Sequence, residues 1–130
     1  MGAEGIIGER VLADGLKVVI HDATRHYFGG YYHVSLLVTA AVPLLPAWFD
    51  TPQGYEDALN RLGSTVRFSR NMEKMAVPLG DMEEVRRSLM DAFEANLLAY
   101  LSRPDFPRRF VMGEYEKALQ QVSSRGYGHQ

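Results

Sequence analysis

The chain reads as an α+β protein: a two-layer sandwich in which a mainly antiparallel sheet of roughly four to five strands, built on one long hairpin, carries about three helices. Three observations predict it. Two β-rich runs, Leu16–Ile20 and Val34–Val42, flank a polar and aromatic segment that contains Gly29-Gly30. An Asp14-Gly15 pair stands between β-formers, which is a hairpin signal of its own. Later segments carry apolar residues at helical spacing on one face, and such helices must cover a sheet.

The first element is a short strand at Glu9–Leu12, which turns at Asp14-Gly15 into Leu16–His21. The long hairpin comes next. A three-residue Phe28-Gly29-Gly30 loop with Gly30 in the left-handed region sets Ile20 against Val38, Val18 against Ala40 and Leu16 against Val42, with Val34 and Leu36 on the same face. A two-residue Gly29-Gly30 turn would set Ile20 against Thr39 and split the apolar set between faces. A slip of one residue moves every side chain across the sheet, so the three-residue loop is the expected one. It also places Arg25 opposite His33, His26 opposite Tyr32 and Tyr27 opposite Tyr31.

Leu44–Asp50 is an apolar connection holding the only tryptophan, expected as a buried lid over one end of the core. Thr51-Pro52 starts a helix, since Thr caps and Pro tolerates the first helical position. Tyr55, Ala58, Leu59 and Leu62 line one face of it and Gly63 stops it. Two strands are then expected, Thr65–Ser69 and Lys74–Leu79, joined by a turn at Arg70–Glu73, with Pro78 marking an edge. Asp81 and Glu84 have capping-box spacing ahead of the clearest helix. Its stripe is Met82, Val85, Leu89, Ala92, Phe93, Leu97 and Tyr100. It ends before Pro104. A last helix from Asp105 or Pro107 to Val122 turns Phe110, Val111, Tyr115, Ala118, Leu119 and Val122 inward, with Gly113 either weakening it or admitting a close crossing.

At 130 residues the length suits one domain with a sizeable core, expected over 9–122 between flexible ends at 1–8 and 123–130. Apolar residues make up 46% and charged ones 23%, which excludes a wholly disordered chain. The net charge of −2 comes from 14 basic and 16 acidic residues that are well mixed, and the lack of a basic stripe argues against a nucleic-acid partner. There is no cysteine, which removes thiolate nucleophiles and thiolate metal sites and fits a reducing cytoplasm. Thr39, Pro43 and Pro46 interrupt the longest apolar run, so no membrane span is expected, and the first residues lack a basic n-region. A cytoplasmic protein is the expectation.

Two candidate surfaces lie on the hairpin. His21, Asp22, Arg25, His26 and His33 form the densest polar constellation, readable as a ligand-binding cluster or as an outward, solvated face of cross-strand pairs. His21 and His33 share a face too far apart for one metal ion at about 3.3 Å per residue, and no metal site or cofactor is expected. Asp22 falls on the apolar face beside Ile20 and Leu36, where a carboxylate needs a partner such as Arg25 or Thr24. Tyr27, Phe28, Tyr31 and Tyr32 form an aromatic band at the tip, either an exposed protein-contact patch or core beneath the last helix. Arg103, Arg108 and Arg109 surround a helix start, as an anion site or as a solvated loop balanced by Asp105 and Glu114. No P-loop, G-x-G-x-x-G, H-E-x-x-H or G-x-S-x-G occurs, so no catalytic residue is assigned.

The run Gly15–Val34 resembles small bacterial proteins of uncharacterised function that carry a G-L-x-x-x-I-x-D-x-T/S-R pattern, a likeness that implies no activity. The element order is similar to one module of the pitrilysin-type metallopeptidases, through Leu12-Ala13-Asp14-Gly15-Leu16-Lys17-Val18-Val19, Leu62-Gly63-Ser64, Val77-Pro78 and Pro104-Asp105-Phe106 with Glu114. The helix matching that family's H-x-x-E-H position is YEDALNRL, without histidine, so zinc peptidase activity is not implied. The functional expectation is a non-catalytic protein-interaction or self-associating domain. The alternative is a small-molecule binder or hydrolase-like enzyme built on the hairpin's His, Asp and Arg side chains.

Overall fold

A computed structural model describes residues 5–128, with side chains through Gln121. Residues 1–4 and 129–130 of the expected flexible ends, and the inward side chain expected at Val122, lie outside the described residues. The fold is α+β, with an open antiparallel sheet of five strands. Its chain groups into two compact units, Met1–Ala40 with Phe68–Arg103 and Ala41–Arg67 with Pro104–Gln130.

In the first unit, strand β1 (Ile6–Val11) pairs antiparallel with β2 (Lys17–Asp22). β1 therefore opens inside the stretch expected to be loose. The turn between them holds by Leu16 N–H donating to Asp14 Oδ1 (3.0 Å) and by Gly15 at φ 89°. β2 and β3 (Arg25–Phe28) both pair with β4 (Tyr31–Pro43). Ile20 lies opposite Val38, Val18 opposite Ala40 and Arg25 opposite His33, the register expected from the apolar alternation. Asp22↔Leu36 and Arg25↔His33 keep one offset, so β2 and β3 are one ribbon interrupted at Ala23-Thr24.

The loop that delivers this register is not the expected one. Gly29, not Gly30, takes the positive φ (56°), and Phe28 rather than Tyr27 lies opposite Tyr31. The chain makes a two-residue Gly29-Gly30 turn of the II′ kind and absorbs the odd residue as a bulge at Tyr27. Burial of Val18, Ile20, Leu36 and Val38, all fully excluded from solvent, outweighs the local turn preference and sets the phase.

β5 (Thr65–Pro78) pairs with β4 as one continuous strand, without the expected turn at Arg70–Glu73. The 13-residue β4 offers a backbone edge along its whole length, and Arg70-Asn71-Met72-Glu73 contains neither Gly nor Pro to break the ladder. Leu44 N–H to Ser64 O and Leu79 N–H to Gly30 O fix the two ends of the antiparallel run. Ala76 takes a left-handed φ of 55°. This kink breaks the expected Met75, Val77, Leu79 alternation, leaving Val77 buried and the other two exposed.

The helical rod of this unit comprises α2 (Met82–Ala92), a π-turn at Phe93–Leu97 and α3 (Leu98–Leu101). A 3₁₀ turn at Leu79–Asp81 precedes it, so Asp81 is already helical (φ −100°, ψ −3°) and makes no side-chain cap. The capping box is thus absent, although Glu83 and Glu84 still place negative charge on the first turn. One extra residue in the π-turn rotates the rest of the rod by roughly 100°. Leu101 is consequently buried with Phe93 and Leu97, whereas Tyr100, expected in the stripe, is exposed. Two ion pairs and a close approach at Gly8 place the rod on the apolar sheet face. Arg10 reaches Glu94 (2.6 Å), Arg86 reaches Asp22 (3.1 Å), and a Cβ on Gly8 would lie 3.8 Å from the Met90 methyl.

In the second unit, α1 (Pro52–Leu62) begins and ends as expected. Thr51 Oγ1 accepts from Gly54 N–H (3.0 Å), and Gly63 closes the helix at φ 85°. Only Leu44 of the expected lid is buried; Leu45–Ala47 are exposed, and Pro46–Trp48 form a 3₁₀ turn. Phe49 instead packs its ring against Tyr55 and Tyr115, with centroids 5.6 and 5.8 Å away. α4 runs from Phe106 to Gly128, beyond the expected end at Val122. Leu119, expected inward, is exposed, and nothing among the described residues crowds Gly113.

Asp57 Oδ2 joins α1 to α4, accepting from Tyr115 Oη (2.6 Å) and Arg61 Nε (2.8 Å). The tyrosine hydrogen bond and then Arg61 hold the Asp57 carboxyl below its ordinary pKa, while the same bond and burial push the Tyr115 phenol up. The lowered carboxyl contributes stability that is present above about pH 4 and lost as pH falls through its folded value. The raised phenol contributes stability present below about pH 10 and lost as pH rises through its folded value. Denaturant titrations across pH are expected to show Tyr115→Phe flattening the alkaline loss and weakening the acid one. An unchanged pH profile would mean that the bond adds nothing to folding.

Candidate functional site

The Asp22-Ala23-Thr24 interruption organises the polar residues of the hairpin. Asp22 Oδ1 accepts from Thr24 N–H (3.0 Å), forming an Asx turn, and the Thr24 hydroxyl accepts from Ser35 N–H (3.2 Å) in place of a backbone carbonyl. Asp22 Oδ2 then faces Arg86 on α2. The carboxylate on the apolar face has its partner, but that partner comes from the helix; Thr24 contributes only its backbone, and Arg25 stays exposed.

The three imidazoles go separate ways. His21 Nε2 lies 3.2 Å from Thr39 Oγ1, and His33 Nε2 lies 2.5 Å from Glu73 Oε1 on β5. His21 stands opposite Leu37, about 13 Å along β4 from His33 at the usual strand rise. His26 is on the other face, edge-on to Tyr32, with Nε2 2.5 Å from Gly29 O. It fastens the turn. Among the described residues no three His, Asp or Glu side chains converge on one point. The face is solvated only in part: His33 is 7% exposed and Ser35 and Thr39 are buried with it, while His21 is half-buried and Arg25 and Glu73 are exposed. The long β5 covers the edge that the expected turn would have opened.

The tip behaves differently. Tyr27, Phe28 and Tyr31 are 54%, 73% and 47% exposed, and Leu79, whose N–H bonds Gly30 O, is 65% exposed. Tyr32 is half-buried against His26. Among the described residues β3 pairs only with β4, so its outer edge carries open backbone groups beside these rings. Of the arginines considered as an anion site, Arg109 lies 3.5 Å from Asp105, and Arg103 lies over the Tyr100 ring at 5.8 Å.

A cleft of about 340 Å³ between β5 and the helical rod has no counterpart among the expected surfaces, and is lined by Arg70, Asn71, Met72, Asn96, Leu97 and Tyr100 among others. A turn at Arg70–Glu73 would leave it without one wall. A straight apolar stripe would leave it without the other, although the four-residue spacing of Phe93, Leu97 and Leu101 drifts around a regular helix and signals an extra residue. No helix among the described residues is long and apolar enough to cross a membrane. No protein-family model matches this chain, and neither a curated protein nor a solved structure matches it.

Proposed function

We propose that this chain is a non-catalytic protein-contact module of the cytoplasm that pairs with a second copy of itself through the hairpin tip. The observation that carries the reading is the coincidence of exposed aromatic side chains with a β3 edge that pairs with no strand among the described residues. An open edge is a template for another strand. An identical β3 arriving antiparallel, centred on Tyr27, would set Tyr27 on Tyr27, His26 on Phe28 and Arg25 on Gly29, so aromatic groups meet and no like charges face each other. Such a two-fold contact is self-complementary by construction.

Tyr27, Phe28, Tyr31 and Leu79 present on the order of 450 Å², against about 800 Å² per partner in a standard interface. The expected dimer is therefore weak, in the micromolar range or above. The separate engagement of His21, Asp22, His26 and His33 favours this reading over an enzyme built on them. Sedimentation equilibrium over a wide concentration range is expected to give a monomer–dimer equilibrium that Phe28→Ser with Tyr31→Ser abolishes while circular dichroism stays unchanged. A wild-type chain that stays monomeric at millimolar concentration ends the proposal.

A further inference from the structure

Three arginines reach the seam between the sheet and the helical rod. Arg10 pairs with Glu94 and Arg86 with Asp22 and Glu83. Arg70 is the exception: its guanidinium lies over the Phe68 ring at 5.7 Å, and no carboxylate among the described residues is in ion-pair contact with it. It lines the cleft whose apolar surface includes Met72 and Leu97 and whose rim carries the Asn71 and Asn96 amides and Tyr100. Arg103, over Tyr100, adds a second positive charge near that rim.

We propose that this cleft binds a small monocarboxylic acid with a short apolar body, its carboxylate held by Arg70 and its body against Met72 and Leu97. The Arg70 side chain rests over the Phe68 ring, and its planar fork of donors can take a carboxylate in two hydrogen bonds. The amides of Asn71 and Asn96 supply further donors at the rim. The volume falls at the small end of ligand pockets, which suits a benzoate-sized molecule. The π-turn is part of the site: by turning Leu101 inward it leaves Tyr100 at the rim, and single π-turns of this kind are frequent at functional positions. The inference does not rest on self-association, because the cleft and the hairpin tip share no residue.

The test is a ¹⁵N NMR titration of the whole chain with sodium benzoate and sodium hexanoate, reading the side-chain amides of Asn71 and Asn96 and the backbone around Tyr100. Binding with a Kd of about 1 mM is expected for ligands of this size. Arg70→Met, an exposed substitution, is expected to weaken it by at least about tenfold, the loss of one charge-assisted pair. Benzyl alcohol, acetate and inorganic phosphate are expected to bind more weakly than benzoate. The proposal fails if the cleft signals stay still, if benzyl alcohol matches benzoate, if phosphate matches it, or if folded Arg70→Met binds unchanged. The Phe28→Ser, Tyr31→Ser chain is expected to bind benzoate as the wild type does, which separates this result from the fate of the dimer.

Discussion

Phe93→Ala is expected to cost about 3–5 kcal/mol of folding stability, the usual range for deleting a fully buried ring. Phe93 has no solvent exposure and opens the π-turn of the rod that covers the apolar sheet face. A chain of this size has on the order of 5–15 kcal/mol in total, so urea titration is expected to show a much lower midpoint. Phe93→Leu, which keeps most of the volume, measures the same site if the alanine variant does not fold. The phase of the rod has its own check in two neighbours. Leu101→Ala is expected to cost about 2–5 kcal/mol, whereas Tyr100→Ala, at a residue 43% exposed, is expected to cost less than about 1 kcal/mol. A straight helix continuing the stripe Phe93, Leu97, Tyr100 would reverse that order. Equal losses at both positions would mean that the rod is not rephased.

Legibility in the residues divides by the range of the interaction. Ile20 opposite Val38 is legible because alternation of branched apolar residues allows only one phase to be buried. Thr51-Pro52 and Gly63 are legible because caps and stops act within one turn of a helix. The Gly29-Gly30 turn is illegible for the converse reason: a bulge at Tyr27 restores the register from a different loop, and both routes give the same buried set. Arg70–Glu73 has the polar residues of a turn, yet the length of β4 decides the matter from outside the segment. Asp81 loses its capping role to the 3₁₀ turn that precedes it. The candidate site obeys the same division. Exposure of Tyr27, Phe28 and Tyr31 is one of two open readings in the sequence, since hairpin position alone does not say what lies over a ring. The dispersal of the histidines depends on Thr39 and Glu73, the latter 40 residues from His33 along the chain.

Asp22 and Arg86 are expected to be energetically coupled, and the coupling tests how the sheet recognises its covering helix. Both side chains are 24% exposed, so each is only partly screened by water and salt. Arg86→Met leaves Asp22 on the apolar face with only the Thr24 N–H, and is expected to cost about 1–3 kcal/mol. Asp22→Asn keeps an oxygen for the Asx turn but removes the charge, isolating the ion pair from the turn. Asp22→Leu with Arg86→Met replaces both partners by apolar groups and is expected to recover part of the loss, because a half-removed pair is worse than none. A double-mutant cycle from urea titrations is expected to give a coupling of about 1–2 kcal/mol, changing little with added salt. The more exposed Arg10–Glu94 pair is expected to give a smaller value that salt erodes. Additive single losses at Asp22 and Arg86 would assign the whole effect of Asp22 to its Asx turn, and the helix would then be held by apolar burial alone.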